Sequence, residues 1–562
     1  MKNKKPLWFL FLLAACGAAP ALAQQSANPL AIPVLFDNQT GLDPSQIYFQ
    51  FMGGHPVGGT YRDTLSGNAT LLSGEPNQFY SLAQLQGLGT FNATTNIKGV
   101  TPEYANTPGI ILTDLPSGRI YLNFGTSGLV NPGDQSGYTP PSFLESDPNY
   151  NTRWQYIEAT VQNGQVYADL SYIDFTSISL NLTASATGAV NANQRSQSAF
   201  VLANATLASA TSNSASLPVP GLLPPQPGFT RVISPQYTVG NNQTVYGNFT
   251  HYLNSLNGKN STISGLYAGD DKTGQPTTAA QIYEYTATFN ATAGTVTLVA
   301  TPNSGTGNYT NISQAIPTST NGYGAGNNQT ITLQYSDLIA ATGIYGSNPP
   351  YKVSGTFTQN NTGIVNDVFG RVVGDLLAGL TFGTVGSNVT ANLTIGNGTT
   401  TKNLNGTIGS LSSSAWWGAG EGTDVQYVPV NGTLYTVGWS QSLAGSSNGT
   451  LLYGGAQPGG NSTAPFYNYY SAALVGGNFN LNNALTPGYG TPFGDRIGNN
   501  LLTFTANSTA PAFMVLTINS DTGTPIPAAV WTGNSSSSWG TVSNWSSMNG
   551  NASTQIPAGN ST

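Results

Sequence analysis

Apolar and polar positions alternate with a period of two along most of the chain, and Gly, Asn and Pro interrupt the alternation at short intervals. Successive side chains of an extended strand point to opposite faces, so this pattern predicts short antiparallel strands with one face turned to a core. Gln46 to Phe51, Arg119 to Phe124, Trp154 to Val161, Ala168 to Leu180 and Ile282 to Val299 carry it best, and all are rich in β-branched or aromatic residues. Residues 28–225 therefore read as an all-β unit, a sandwich or barrel. The texture changes after Leu217 to Phe229, where five prolines in thirteen residues make a stiff connector. Beyond it, residues 226–520 mix helix with strand. His251 to Leu256 and Val365 to Leu380 place apolar side chains at helical spacing, the latter through Val368, Val372, Val373, Leu376, Leu377 and Leu380. Gly370, Gly374 and Gly379 oppose that helix by about 1 kcal/mol each relative to Ala. Residues 521–562 form a low-complexity tail in which Trp531, Trp539 and Trp545 stand among Ser, Gly and Asn. Those rings suit either a small structural β-turn unit or sugar stacking.

The N-terminus has the layout of a secretory signal over residues 1–23: Lys2, Lys4 and Lys5, an apolar run from Leu7 to Ala15, then Ala21-Leu22-Ala23 before Gln24. A second processing reading stands beside it, because Leu13-Ala14-Ala15-Cys16 resembles a bacterial lipobox that would anchor the protein through Cys16. No later stretch offers the roughly 20 apolar residues of a membrane span. Cys16 is the sole cysteine, so cleavage after Ala23 leaves a mature chain without disulfides, stabilised by core burial alone.

Only 7% of the residues are charged, and the net charge is −7. Such a surface has no basic footprint for nucleic acid. His55 and His251 lack any metal-ligand spacing, so no metal or other cofactor is expected, and His251 reads as structural.

Acids are scarce, which makes a carboxylate inside an aromatic strand informative. Glu158 sits in Trp-Gln-Tyr-Ile-Glu, and Asp169 and Asp174 sit in Tyr-Ala-Asp-Leu-Ser-Tyr-Ile-Asp-Phe. Trp154, Tyr156, Tyr172 and Phe175 can offer sugar-stacking faces and can raise a neighbouring carboxyl's proton affinity by desolvation. Glycosidic cleavage needs a pair of carboxyls, one to protonate the departing oxygen and one to activate water or attack the sugar.

The chain resembles glycoside hydrolase family 64, the thaumatin-like β-1,3-glucanases, from about Ile32 to about Thr517. The matching pieces run in order: I-P-V-L-F-D-N-Q-T from Ile32, S-Q-I-Y-F-Q-F-M-G from Ser45, S-G-R-I-Y-L-N-F-G from Ser117, and S-D-P-N-Y-N-T-R-W-Q-Y-I-E-A-T from Ser146. They continue with Y-I-D-F from Tyr172, T-R-V-I-S-P from Thr230, N-D-V-F-G from Asn366, F-Y-N-Y-Y-S-A-A-L from Phe466 and Y-G-T-P-F-G-D-R from Tyr489. The resemblance implies a β-barrel or sandwich domain joined to a mixed α/β domain, with a wide groove for a glucan chain. It carries the catalytic pair to Glu158 as general acid and Asp174 as general base, acting by single displacement with inversion. Asp147 and Asp495 match supporting acids, and Trp154, Tyr156, Asp169 and Tyr172 would face substrate. One departure is Gly494, which stands where the family has the first of two adjacent acids. The implied protein is a secreted, monomeric glucan hydrolase, and the alternative is a non-catalytic glucan-binding surface protein on the same scaffold.

Strand geometry leaves the second carboxylate open. A two-residue turn at Asn163-Gly164 pairs Gln162 with Gln165 and puts Glu158 opposite Asp169, with Asp174 on the other face. On an unbroken strand Asp174 reaches the face of Glu158 only through a register shift, and then lies about 13 Å along it.

Overall fold

The computed structural model describes chiefly residues 32–52, 79–88, 107–112, 115–130, 152–162, 164–189, 192–195, 231–235, 246–269, 276–300, 330–340, 343–346, 368–396, 399–417, 426–430, 433–437, 466–475, 501–506 and 512–520, with shorter pieces between them. The expected signal at residues 1–23, Cys16 and Asp495 lie outside the described residues. The fold is mainly β and divides into two compact units, one drawn from residues 26–234, 482–490 and 500–562, the other from 235–481 and 491–499.

Two sheets build the first unit. One has six strands in the order Leu502–Thr505, Gln165–Leu170, Arg153–Gln162, Leu115–Phe124, Ile47–Met52 and Tyr80–Ser81. The other has seven and centres on Ile32–Gln39, which pairs parallel with Phe513–Asn519 and antiparallel with Gly109–Leu112. The sheets meet where Phe36 of the second packs on Phe49 and Phe51 of the first, with ring centroids 4.3 and 6.1 Å apart. Alternation decides which residues meet there. Phe49, Phe51, Leu122, Ile120, Ile157, Ala159 and Ala168 share one face of the six-stranded sheet and are buried. The opposite face gathers Gln50, Tyr121, Arg119, Tyr156, Glu158 and Asp169.

In the second unit, Asn260–Gly269, Pro276–Asn290, Thr295–Ala300 and Thr330–Gln334 form one sheet, and strands between Thr390 and Val437 form another. The long helix predicted from apolar spacing spans Val368–Thr381 and buries Val372, Val373, Leu376, Leu377 and Leu380. Gly379 is required there: a Cβ at that position would stand 2.7 Å from Trp416 Cζ3 and 2.8 Å from Val385 Cγ2. His251 is exposed on the short helix Thr250–Ser255 and stacks on the Phe466 ring, centroids 5.1 Å apart. In the tail, Ala529–Trp531 pairs with Trp545–Ser547, which puts Trp531 and Trp545 in register. Among the described residues no helix is long and apolar enough to cross a membrane.

Candidate active site

The strand Arg153–Gln162 turns back through residues 163 and 164 into Gln165–Leu170, with Gly164 at φ 76°. Positive φ is what a two-residue hairpin turn demands. The register then runs Gln162 to Gln165, Ala159 to Ala168 and Glu158 to Asp169, as the turn predicts. On its other side Glu158 pairs with Arg119 of Leu115–Phe124. Arg119, Glu158 and Asp169 therefore form a row across three adjacent strands.

The row is asymmetric. Arg119 Nη2 and Nε donate to the same oxygen, Glu158 Oε1, at 2.9 and 3.2 Å. Glu158 Oε2 has no hydrogen-bond donor among the described residues, and about a quarter of each side chain of the pair is exposed. The arginine thus fixes one carboxylate oxygen and leaves the other available to a ligand. Its guanidinium also lies over the Tyr156 ring, 4.8 Å from the centroid.

Asp169 is the buried end of the row, 4% exposed, and its Oδ1 has no hydrogen-bond partner. Burial, and then the charge of Glu158, push its carboxyl well above the usual carboxylate range, with Arg119 pulling the other way.

Asp174 arrives by a different route from the one the alternation predicts. Ala168 to Leu180 is not one strand: Gln165–Leu170 ends, the chain bends at Ile173 and Asp174, and a two-residue strand, Phe175–Thr176, follows. The bend is braced at both ends by one side chain. Gln155 Nε2 donates to the Ser171 carbonyl at 3.0 Å, and Gln155 Oε1 accepts from the Ser177 amide at 2.9 Å. Arg153 Nη2 donates to the Ser177 carbonyl and Tyr172 Oη to the Ile178 carbonyl. From a distant part of the chain, Val232–Ile233 pairs with Phe175–Thr176, and the Ser234 amide donates to the Asp174 carbonyl at 2.9 Å. The outcome is that Asp174 Oδ2 accepts a 2.9 Å hydrogen bond from the Tyr156 hydroxyl. Tyr156 is two residues before Glu158 on the same strand face. Burial, Asp174 and Glu158, in that order, hold this phenol well above its usual pKa, and it stays a donor.

Trp154, Tyr156 and Tyr172 were expected as stacking faces, but they are 2, 3 and 1% exposed. Trp154 packs edge-on against Phe175 at 4.7 Å and lies 6.3 Å from Tyr156. They form a floor under the acids, and their ring faces are covered by one another. Asp147 Oδ1 accepts from the Asn149 amide at 2.7 Å and its side-chain nitrogen at 2.9 Å. Asn149 in turn bonds Val130 in both directions, and Arg231 Nη2 donates to the Thr152 carbonyl at 2.8 Å. This loop sets the entry of the glutamate strand. A cavity of about 320 Å³ lined by Val166, Tyr167, Gly188, Thr503, Phe504 and Thr505 lies toward the Gln165 end of the hairpin and includes none of the acids.

Arg119, Gln155 and Arg153 were not foreseen as site residues. The only sequence signal for Arg119 was a cation inside an apolar strand; its partner is 39 positions away.

Tyr156→Phe tests the phenol. Losing a donor to a carboxylate costs about 1.5–3 kcal/mol, roughly tenfold or more. Any activity that uses the Asp174 carboxylate is expected to fall by that factor while KM holds.

The model of the β-1,3-glucanase family Glyco_hydro_64 matches residues 31–306. Nothing among curated proteins matches the chain. A solved laminaripentaose-producing β-1,3-glucanase in complex with laminaritetraose is 14% identical, with 88% of this chain and 99% of that one covered and a TM-score of 0.41. A β-1,3-glucanase domain from Clostridium beijerinckii is 11% identical over 89% and 100% of the two chains, also at 0.41. The enzyme from Paenibacillus barengoltzii complexed with laminarihexaose is 17% identical over 42% and 56%, at 0.28.

Proposed function

The chain belongs to glycoside hydrolase family 64, the β-1,3-glucanases, through residues 31–306, and from that membership we propose that it cleaves laminarin-like β-1,3-glucan by single displacement with inversion. Glu158 is the general acid and Asp174 the general base. Glu158 gives its proton to the glycosidic oxygen as the bond from that oxygen to the anomeric carbon breaks. Asp174 takes a proton from a water whose oxygen attacks the same carbon from the opposite side. One proton is given and one taken, and the anomeric configuration inverts.

The observation that carries this reading is the Tyr156 phenol, which donates to Asp174 while standing beside Glu158. Arg119 holds Oε1, which leaves Oε2 for the glycosidic oxygen. Asp169, although directly opposite Glu158, is too buried to hold a water against a sugar. Asp147 and Asp495 are supporting acids in this reading. A surface with few charges suits a neutral polysaccharide. The enzyme is exported by residues 1–23 and works as a monomer.

The test is direct. Purified protein incubated with laminarin should release reducing ends, and proton NMR of the fresh product should show the α anomer before mutarotation. Binding without release would favour the glucan-binding alternative, and a β product would end the single-displacement mechanism.

A further inference from the structure

Asp169 has no task in the mechanism above, yet it is a nearly buried acid aimed along the row at Glu158. Directly opposed residues of antiparallel strands have Cβ atoms about 4.5–5.5 Å apart, and here both are carboxylic acids. A buried carboxyl without hydrogen-bond donors is costly as an anion. Among the described residues Asp169 receives none: Oδ1 is unpartnered, and Arg119 donates to Glu158 from the far side. Besides Glu158, the neighbouring strand Arg153–Gln162 carries Tyr156 on this face, and Tyr121 lies one strand further on. Leu502–Thr505, on the outer edge, brings no charge, and Asn193–Arg195 brings the uncharged, buried Gln194 against it, bonded to the Leu170 amide.

We propose that Asp169 is a positioning residue that keeps a proton at the active site by sharing it with Glu158 across the hairpin. This deepens the reading of Glu158 as general acid and rests on it. Removing the last proton from two facing carboxyls would place two like charges side by side, so the pair as a whole holds one proton. The exchange is balanced: Asp169–COOH and Glu158–COO⁻ become Asp169–COO⁻ and Glu158–COOH. After each turnover the pair regains one proton from water. The raised proton affinity of Asp169 agrees with this arrangement.

Asp169→Asn keeps the volume and removes the shared proton's second home. The expected result is a basic limb of the kcat/KM profile displaced downward by about one unit, a tenfold loss near neutral pH, with activity at acid pH and KM largely kept. Superimposable profiles, or a uniform loss at every pH, would overturn the proposal. A second readout does not depend on catalysis. Asp169 has a folded pKa above its unfolded value of about 3.9, so its contribution to stability is fully present below that value and is lost as pH rises through the folded one. The melting temperature of Asp169→Asn minus that of the unmutated protein should therefore climb from acid toward neutral pH. A flat difference would overturn the proposal even in an active enzyme. If the unmutated protein cleaves no glucan, the proposed function fails and the melting series alone decides on the shared proton. Should Asp169→Asn not fold, Glu158→Gln serves in the melting series: with its like-charged neighbour gone, Asp169 ionises more readily. The unmutated protein should then lose more stability toward neutral pH than this variant, and equal losses would count against the sharing.

Discussion

Glu158→Gln is expected to lower kcat on laminarin by about 100- to 10,000-fold while leaving glucan binding nearly unchanged, the range general acid catalysis supplies. The amide keeps the size of the carboxylate and can still accept from Arg119 through its oxygen, so the strand row should remain intact. What it cannot do is deliver a proton to the glycosidic oxygen. That failure has a signature beyond the loss of rate. A laminari-oligosaccharide carrying a leaving group that departs as a stable anion, such as fluoride or dinitrophenolate, needs no proton at the bond that breaks. On that substrate the variant should recover most of the unmutated rate. Equal impairment on both substrates would remove Glu158 from the acid role, and an unimpaired variant would remove it from the reaction.

The Glu158 half of this arrangement was legible in the sequence because it is local. A turn of Asn163 and Gly164 sets a register, and that register alone puts Glu158 against Asp169 and buries Ile157, Ala159 and Ala168 on the other face. The helix Val368–Thr381 was legible for the same reason, since its apolar stripe lies within one segment. Even its three glycines were a fair objection, which only the contact of Gly379 with Trp416 answers.

The Asp174 half was not legible from alternation. Ser171 to Thr176 still reads as strand, with Tyr172 and Phe175 in β-favouring company, and the strand reading left Asp174 far along the sheet. The chain leaves that path because Gln155 captures Ser171 and Ser177 together and because Val232–Ile233 pairs with the segment from 57 positions away. A buried glutamine in a strand looks like any polar residue until its two bonds are seen. Arg119 was hidden in the same way, since a cross-strand ion pair has no sequence spacing of its own. The family resemblance pointed to Asp174 where simple geometry pointed to Asp169, and the bend brings Asp174 to the Tyr156 phenol. Asp169 and Asp174 differ in burial and in partners, and a difference of environment is what can separate the roles of like groups.

Asp174→Asn should separate the base from the acid. Without a group to take the proton from water, hydrolysis is expected to fall by about 100- to 10,000-fold, and here the better leaving group should give no recovery, because attack and not departure has become difficult. The Tyr156 hydroxyl can still donate to the asparagine oxygen, so the Gln155 brace and the floor of Trp154 and Phe175 should keep the bend in place. Into that geometry a small anion such as azide can be supplied. It needs no deprotonation, and it can approach the anomeric carbon from the side the activated water would have used. The expected product is a glycosyl azide of α configuration, formed at a rate that rises with azide concentration. Recovery with a β product would mean two successive displacements, with a glycosyl intermediate formed on a residue other than Asp174 and then opened by azide from the face the leaving group vacated. Absence of any recovery, together with a loss confined to the acid limb of the pH profile, would point instead to a carboxylate that only tunes Tyr156.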